Sequence, residues 1–237
     1  MHISEGILSG PVLAGGIAVA AIGTAVGLKN LDYDRIAQAG ILSAAFFVAS
    51  LVHVPIGPAN VHLVMNGLVG LFLGWGAFPV ILTSLVLQAI FFQFGGITTL
   101  GVNTAIMAAP AVIVRYTFGP FIWKKPPFCQ IAAFACGFGA VLMGAVIVGL
   151  ALLFTEKEFF EVTGIIVGAH LPVMIIEGVI TLFAVIFLKK VQPVLLPGYR
   201  TDTSYRDTSY RDTSCPDKDY RDTDPLKTEK ESPPNVF

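Results

Sequence analysis

The residues best suited to chemistry stand at the very start of the chain, MHISEG. A free Met1 α-amine, the His2 amide nitrogen and the His2 ring Nδ1 close a five- and a six-membered chelate ring on one metal ion, leaving one equatorial position for a second imidazole. Nitrogen donors so arranged suit nickel or cobalt. Methionine aminopeptidase favours small residues at position 2, so the bulky His2 is expected to leave Met1 in place. The four histidines of the chain are His2, His53, His62 and His170. His62, four residues after Pro58 in PIGPANVHLVMNG, is the natural fourth nitrogen. Three roles are open for His53: an additional ligand, a residue on the entry path, or a hydrogen-bond partner of a ligand. His170, in GAHLPVMIIEG, reads chiefly as a helix-packing residue, with metal contact as the alternative.

A ligating imidazole needs a hydrogen-bond acceptor at its other ring nitrogen. Asn60, Gln93 and Asn103 are the candidates, drawn from a wider set of uncharged polar residues that includes Asn66, Gln88, Thr98 and Thr99. The competing role for each is a bond between helices with no metal nearby. Glu177 has three open roles: pairing with a polar neighbour, accepting a proton, or meeting a partner subunit.

The elements that must position these residues are membrane spans. Hydrophobic residues make up 54% of the chain and charged residues 13%, against about 25% charged in an ordinary soluble domain; the mean hydropathy is +0.74. Nine of the sixteen acidic residues lie beyond residue 200, leaving Glu5, Asp32, Asp34, Glu156, Glu158, Glu161 and Glu177 in the body. A span needs roughly 17 to 25 apolar residues. Such runs predict helices near 9–28, 36–54, 77–94, 100–122, 128–154 and 162–188, with a shorter one near 60–76 after the PIGPAN break. Pro55, Gly57 and Pro58 forbid continuous helix there, and irregular backbone at membrane depth usually lines a site. The fold expected is an all-α membrane bundle of about seven helices, or six plus a buried short one.

Basic residues set its orientation. Lys29 and Arg35, Lys124 and Lys125, and Lys189 and Lys190 all fall on one side, which the positive-inside rule makes cytoplasmic. The amino terminus, PIGPAN, GGITT and the acidic TEKEFFE loop then share the outer side, with the carboxyl terminus inside. With no positively charged region before it, the first apolar run is expected to remain a transmembrane helix. Small residues at Ala14, Ala18, Ala21 and Ala25 on that helix permit close approach of another, within the chain or outside it.

The body is expected over 1–195 and a disordered cytoplasmic tail over 196–237. YRTDTS, YRDTS, YRDTS and YRDTD repeat in that tail, whose polarity cannot offset the entropy of ordering it. Cys129, Cys136 and Cys215 form no CxxC pair. A net charge of −1 gives no footprint for nucleic acid. The chain has no GxxxxGK[ST] phosphate loop, so an ATP-driven step by that route must come from partners.

Four stretches carry a resemblance: MHISEG, VPIGPANVHLVMNGLVG, QAIFFQFGGITTLGVN and GAHLPVMIIEGVITLFAVIFLKK. In this order they resemble the CbiM/NikM family, the membrane substrate-capture component of energy-coupling factor importers of cobalt and nickel, over about residues 1–195. The resemblance implies a bundle of six or seven helices with the amino-terminal segment inserted into it. It also implies metal binding by the Met1 amine, the His2 amide and ring, and His62. The family often has serine near Asn60 and histidine where this chain has Phe94, and the chain departs from it at both places. Implied partners are a small membrane companion, a transmembrane coupling protein and an ATPase pair in the cell (inner) membrane.

The expected function is thus ATP-driven cobalt uptake for cobalamin biosynthesis, with nickel uptake the alternative. Co²⁺ or Ni²⁺ is the transported substrate, and no organic cofactor or enzymatic role is expected. Two other classes make contrary demands. A stand-alone secondary transporter of an organic solute would be indifferent to His2, and a structural membrane subunit would bind no metal.

Overall fold

The computed structural model describes residues 2–51, 53–56, 59–155, 160–196 and 198, with 2, 53–56, 59–61 and 160–163 described by backbone alone. The expectations for Met1, the Gly57–Pro58 step, Glu156, Glu158 and the tail from residue 199 fall outside them.

Eight helices occur among the described residues: α1 (Gly10–Lys29), α2 (Ile36–Ala49), α3 (Asn66–Leu73), α4 (Ala77–Phe92), α5 (Leu100–Phe118), α6 (Phe128–Leu153), α7 (Phe160–Ala169) and α8 (Leu171–Val191). Among the described residues, five stretches are long and apolar enough to cross a membrane: Gly10–Lys29, Asn66–Phe92, Leu100–Trp123, Phe128–Leu153 and Gly164–Val191. Apolar side chains point both ways. Phe46, Leu71, Ile81, Ile106, Met107 and Leu152 are buried, while Ile22, Ile41, Phe91 and Phe183 face outward, as a lipid-facing surface requires.

Two expectations from hydropathy are corrected. The helices expected over 36–54 and 60–76 give way between Ala49 and Asn66 to β2 (His53–Ile56) and β3 (Ala59–His62), which join β1 (His2–Ile3) in a sheet of order β1-β3-β2. Pro55 and Pro58 deny this stretch a helical ladder, and the β-branched Val54, Ile56 and Val61 suit a strand. The helix expected over 162–188 is interrupted at His170. Pro172 has no N–H for the carbonyl of Gly168, so the ladder breaks there, and the His170 N–H is shared between the Ile166 and Val167 carbonyls.

The basic residues gather at one end of the bundle. Arg35 donates to the Phe72 carbonyl at the foot of α3. Lys189 donates to the Ile122 carbonyl at 2.7 Å and lies over the Trp123 ring. The strands and the amino-terminal arm occupy the other end.

Between the ends, α3, α6 and α8 stack backbone on backbone. A Cβ added at Gly67 would lie 2.5 Å from the Cys136 carbonyl oxygen and 2.7 Å from the Gly137 Cα, while one at Gly137 would lie 2.3 Å from the Glu177 carbonyl oxygen. Backbone cannot rotate aside as a side-chain tip can. Gly67→Ala is therefore expected to destabilise the protein by about 1–3 kcal/mol, the usual range for overpacking. Thermal unfolding in detergent measures this, and an unchanged midpoint would show that α3 and α6 can part without cost.

Candidate functional site

The small sheet gathers most of the candidate ligands. His2 pairs with Asn60, and His53 pairs with His62. Directly opposed residues share a face of a sheet, as do residues two apart on one strand. The positions of His2, Asn60, His62 and His53 therefore lie on one face, with His2 and His62 as diagonal neighbours across β1 and β3. Ile3 takes the other face and is fully buried.

The His62 ring is nearly sealed, with 2% of the residue exposed. Its Nδ1 lies 2.9 Å from the Leu63 carbonyl oxygen. A carbonyl can only accept, so Nδ1 carries a proton, and in the neutral form of the ring the lone pair is then on Nε2. That tautomer is the one a metal-ligating histidine needs if Nε2 is the donor.

The arm carrying His2 is fastened at four places. Its strand pairs with β3. Asn103 receives the Ile3 N–H on Oδ1 at 2.9 Å and donates Nδ2 to the Ile3 carbonyl at 3.2 Å, so its amide closes the open edge of β1 as another strand would. The Ser9 N–H donates to the Thr155 hydroxyl. Glu5 Oε1 accepts from both the N–H and the hydroxyl of Thr98, at 3.0 and 3.1 Å. Gly96 makes room for that carboxylate: its φ is +117° and a Cβ there would fall on the Glu5 side chain.

The segment carrying His62 is fastened from below. The Val64 and Met65 N–H groups donate to Glu177 Oε1 at 2.5 and 2.6 Å, and Glu177 is fully buried. Of its open roles, the structure shows pairing with a polar neighbour. The buried Asn66 donates toward the carbonyls of Met107 and Ala140, midway along α5 and α6, and its Oδ1 accepts the Gly67 N–H. Met65 adopts the left-handed conformation, φ 53°.

The other candidates lie apart from this face. Asn103 spends its amide on Ile3 and on the Thr99 hydroxyl. Gln93 is exposed at the end of α4, in a left-handed conformation that turns the chain into the Gly95–Gly96 pair. His170 is buried at the junction of α7 and α8, with Nδ1 bonded to the Ile166 carbonyl of α7 at 2.7 Å. Among the described residues, no three His, Cys, Asp or Glu side chains converge on a point that would hold an ion. Sequence reasoning left Glu5 without a role. An acid inside the first turn of an otherwise apolar start, with Thr98 and Thr99 beyond a glycine pair, was the available signal.

The described residues thus define a multi-pass helical membrane protein with a polar centre at one end, where ionisable groups mark sites of binding or passage. The chain belongs to the CbiM family, described as the cobalt uptake substrate-specific transmembrane region, which matches residues 2–195. Membership makes it a transporter component rather than an enzyme. It is 39% identical to a Haemophilus influenzae protein named "Putative metal transport protein", over 83% of this chain and 97% of that one. It is 33% identical to the "Fused nickel transport protein NikMN" of Rhodobacter capsulatus, over 65% of this chain and 48% of that longer one. The fold is similar to a crystal structure of a truncated transition metal transporter, with a TM-score of 0.64, 28% identity, and coverage of 80% of this chain and 99% of that one.

The bonds to Glu5 generate a pH prediction. Chiefly the Thr98 N–H, and then its hydroxyl, hold the exposed carboxyl below the ordinary glutamate value. A depressed acid contributes its contacts fully above the ordinary value and loses them as pH falls through the lowered one. Hydrogen exchange at the Thr98 amide, corrected for intrinsic rates, is expected to be protected above about pH 5 and to accelerate as pH falls below 4.5. Glu5→Gln should abolish that step. The same profile in both proteins would show that Glu5 does not fasten the arm.

Proposed function

We propose that this chain captures a divalent transition-metal ion as the membrane substrate-binding component of an ATP-driven cobalt uptake system supplying cobalamin biosynthesis. The ligands are the Met1 α-amine, the His2 amide and ring Nδ1, and His62 Nε2. The observation that carries this reading is the strand register, which sets His2 and His62 as diagonal neighbours on one face of a sheet. The His62 tautomer supports it, since the proton on Nδ1 leaves Nε2 as the donor. His53 and Asn60 share that face and are the neighbours suited to accept a hydrogen bond or guide the ion inward.

Seven crossings, with the arm outside and the carboxyl terminus inside, form part of the proposal. Support comes from the gathering of Arg35, Lys189 and the Trp123 turn at one end, opposite the arm. The rule that cytoplasmic ends carry the basic residues makes that end cytoplasmic. Residues 1–195 form the capture domain. ATP hydrolysis belongs to partner subunits, joined by a coupling protein and a small membrane companion in the cell (inner) membrane.

Two metals compete for the assignment. The family description names cobalt, whereas the R. capsulatus relative is named for nickel. Four nitrogens including a deprotonated amide favour square-planar Ni²⁺ on chemical grounds. Availability inside and outside the cell then decides between them.

Release requires the site to be taken apart. Withdrawing the arm removes three of the four nitrogens at once, which makes the arm the natural point of action for the partner subunits.

The deciding experiment is metal content of purified protein with its native amino terminus, after exposure to equimolar Co²⁺ and Ni²⁺, beside His2→Ala and His62→Ala. About one ion per chain is expected in the wild type and far less in both variants. Metal indifferent to both changes would point instead to a secondary transporter of an organic solute. In cells without other importers, His2→Ala is expected to abolish uptake. One residue added before Met1 should be nearly as damaging, and wild-type affinity in that extended form would remove the amine from the ligand set.

A further inference from the structure

We infer that Glu177 is a positioning residue for the metal site, holding His62 in place through the two backbone amides that follow it. The inference rests on the reading of His62 as a ligand. Its own basis is the geometry between α8 and the β3–α3 connection.

His62 ends β3, and α3 begins at Asn66. The three residues between them have neither strand nor helix partners for all their amides. A single carboxylate oxygen, Glu177 Oε1, takes the N–H groups of both Val64 and Met65. Val64 and Glu177 are fully buried, so no solvent stands ready to replace the acceptor. The carboxylate also faces the start of α3, where the helix dipole favours negative charge.

Its reach depends on the stacked backbones. Gly67 lays α3 on α6 at Cys136–Gly137, and Gly137 in turn admits the backbone of α8 at Glu177. α8 is thereby near enough to α3 for a glutamate side chain to reach the residues before it. Without that acceptor, the buried Val64 amide and the partly buried Met65 amide must find other partners, and they do so by moving the backbone that carries His62.

A general stabiliser of the fold would weaken metal binding whatever the ligands. A positioning residue acts only while its ligand is present. Ni²⁺ titration of the full chain by calorimetry, in wild type, Glu177→Ala, His62→Ala and the double variant, separates the two. Glu177→Ala is expected to weaken Ni²⁺ binding about 10–100-fold, the usual effect of losing support behind a ligand. In the His62→Ala background it should change nothing further. Glu177→Gln keeps a carbonyl oxygen for both amides and should stay within about threefold of wild type, well short of that range. If Glu177→Ala does not fold, Glu177→Asp carries the same cycle, because its shorter reach also forfeits the bonds.

An equal loss in both backgrounds, or no loss in either, overturns the inference while leaving His62 a ligand. Unchanged binding in His62→Ala alone overturns the ligand reading and this inference with it.

Discussion

The Val64 backbone amide is fully buried and that of Met65 partly so, and the Glu177 carboxylate, itself buried, accepts from both. Hydrocarbon admits irregular backbone only when protein satisfies it. An unpaired buried donor costs about 1–3 kcal/mol, which the bond from the Val64 amide to Glu177 avoids. With the carboxylate in place, strand can turn into helix inside the protein. The left-handed Met65 and the buried amide of Asn66 are parts of the same turn. His62 is buried because the chain can afford to be irregular just beyond it.

The arm answers the same constraint differently. Its backbone is met from three other parts of the chain: the Asn103 side chain of α5 at Ile3, the Thr155 hydroxyl beyond α6 at Ser9, and the backbone of β3 along the strand. Glu5 reverses the pattern, with its side chain accepting from Thr98. Apolar burial adds to these bonds, because Ile3 and Leu8 are both buried in the main core.

Much of this was legible in the chain and some was not. Long apolar runs located α1, α4 and α6 to within about two residues and the start of α5 likewise, though its end was placed four residues too far, because hydropathy and length are local properties. The sheet was not legible. Its strands are short, and β1 finds its partner nearly sixty residues away, so the apolar run through 54 read as more helix. His2 and His62 stood out because few histidines occur and one flanks the chain start. The partner of Glu177 could not be read, since a carboxylate bonded to backbone leaves no trace in the identity of the residues it serves. Gln93 shows the reverse: an amide within an apolar stretch reads the same whether it faces the interior or, as here, lies exposed.

The Asn103 clasp on Ile3 also fixes the parity of the arm. A strand alternates its faces with every residue, so a slip of a single position would exchange His2 and Ile3 between the polar face and the buried one. Asn103 grips both backbone groups of Ile3, and a half-step is therefore not available to the arm. It is either seated in one phase or detached. A segment with only those two conditions behaves as a latch, and the side-chain amide of Asn103 is the part that makes it one.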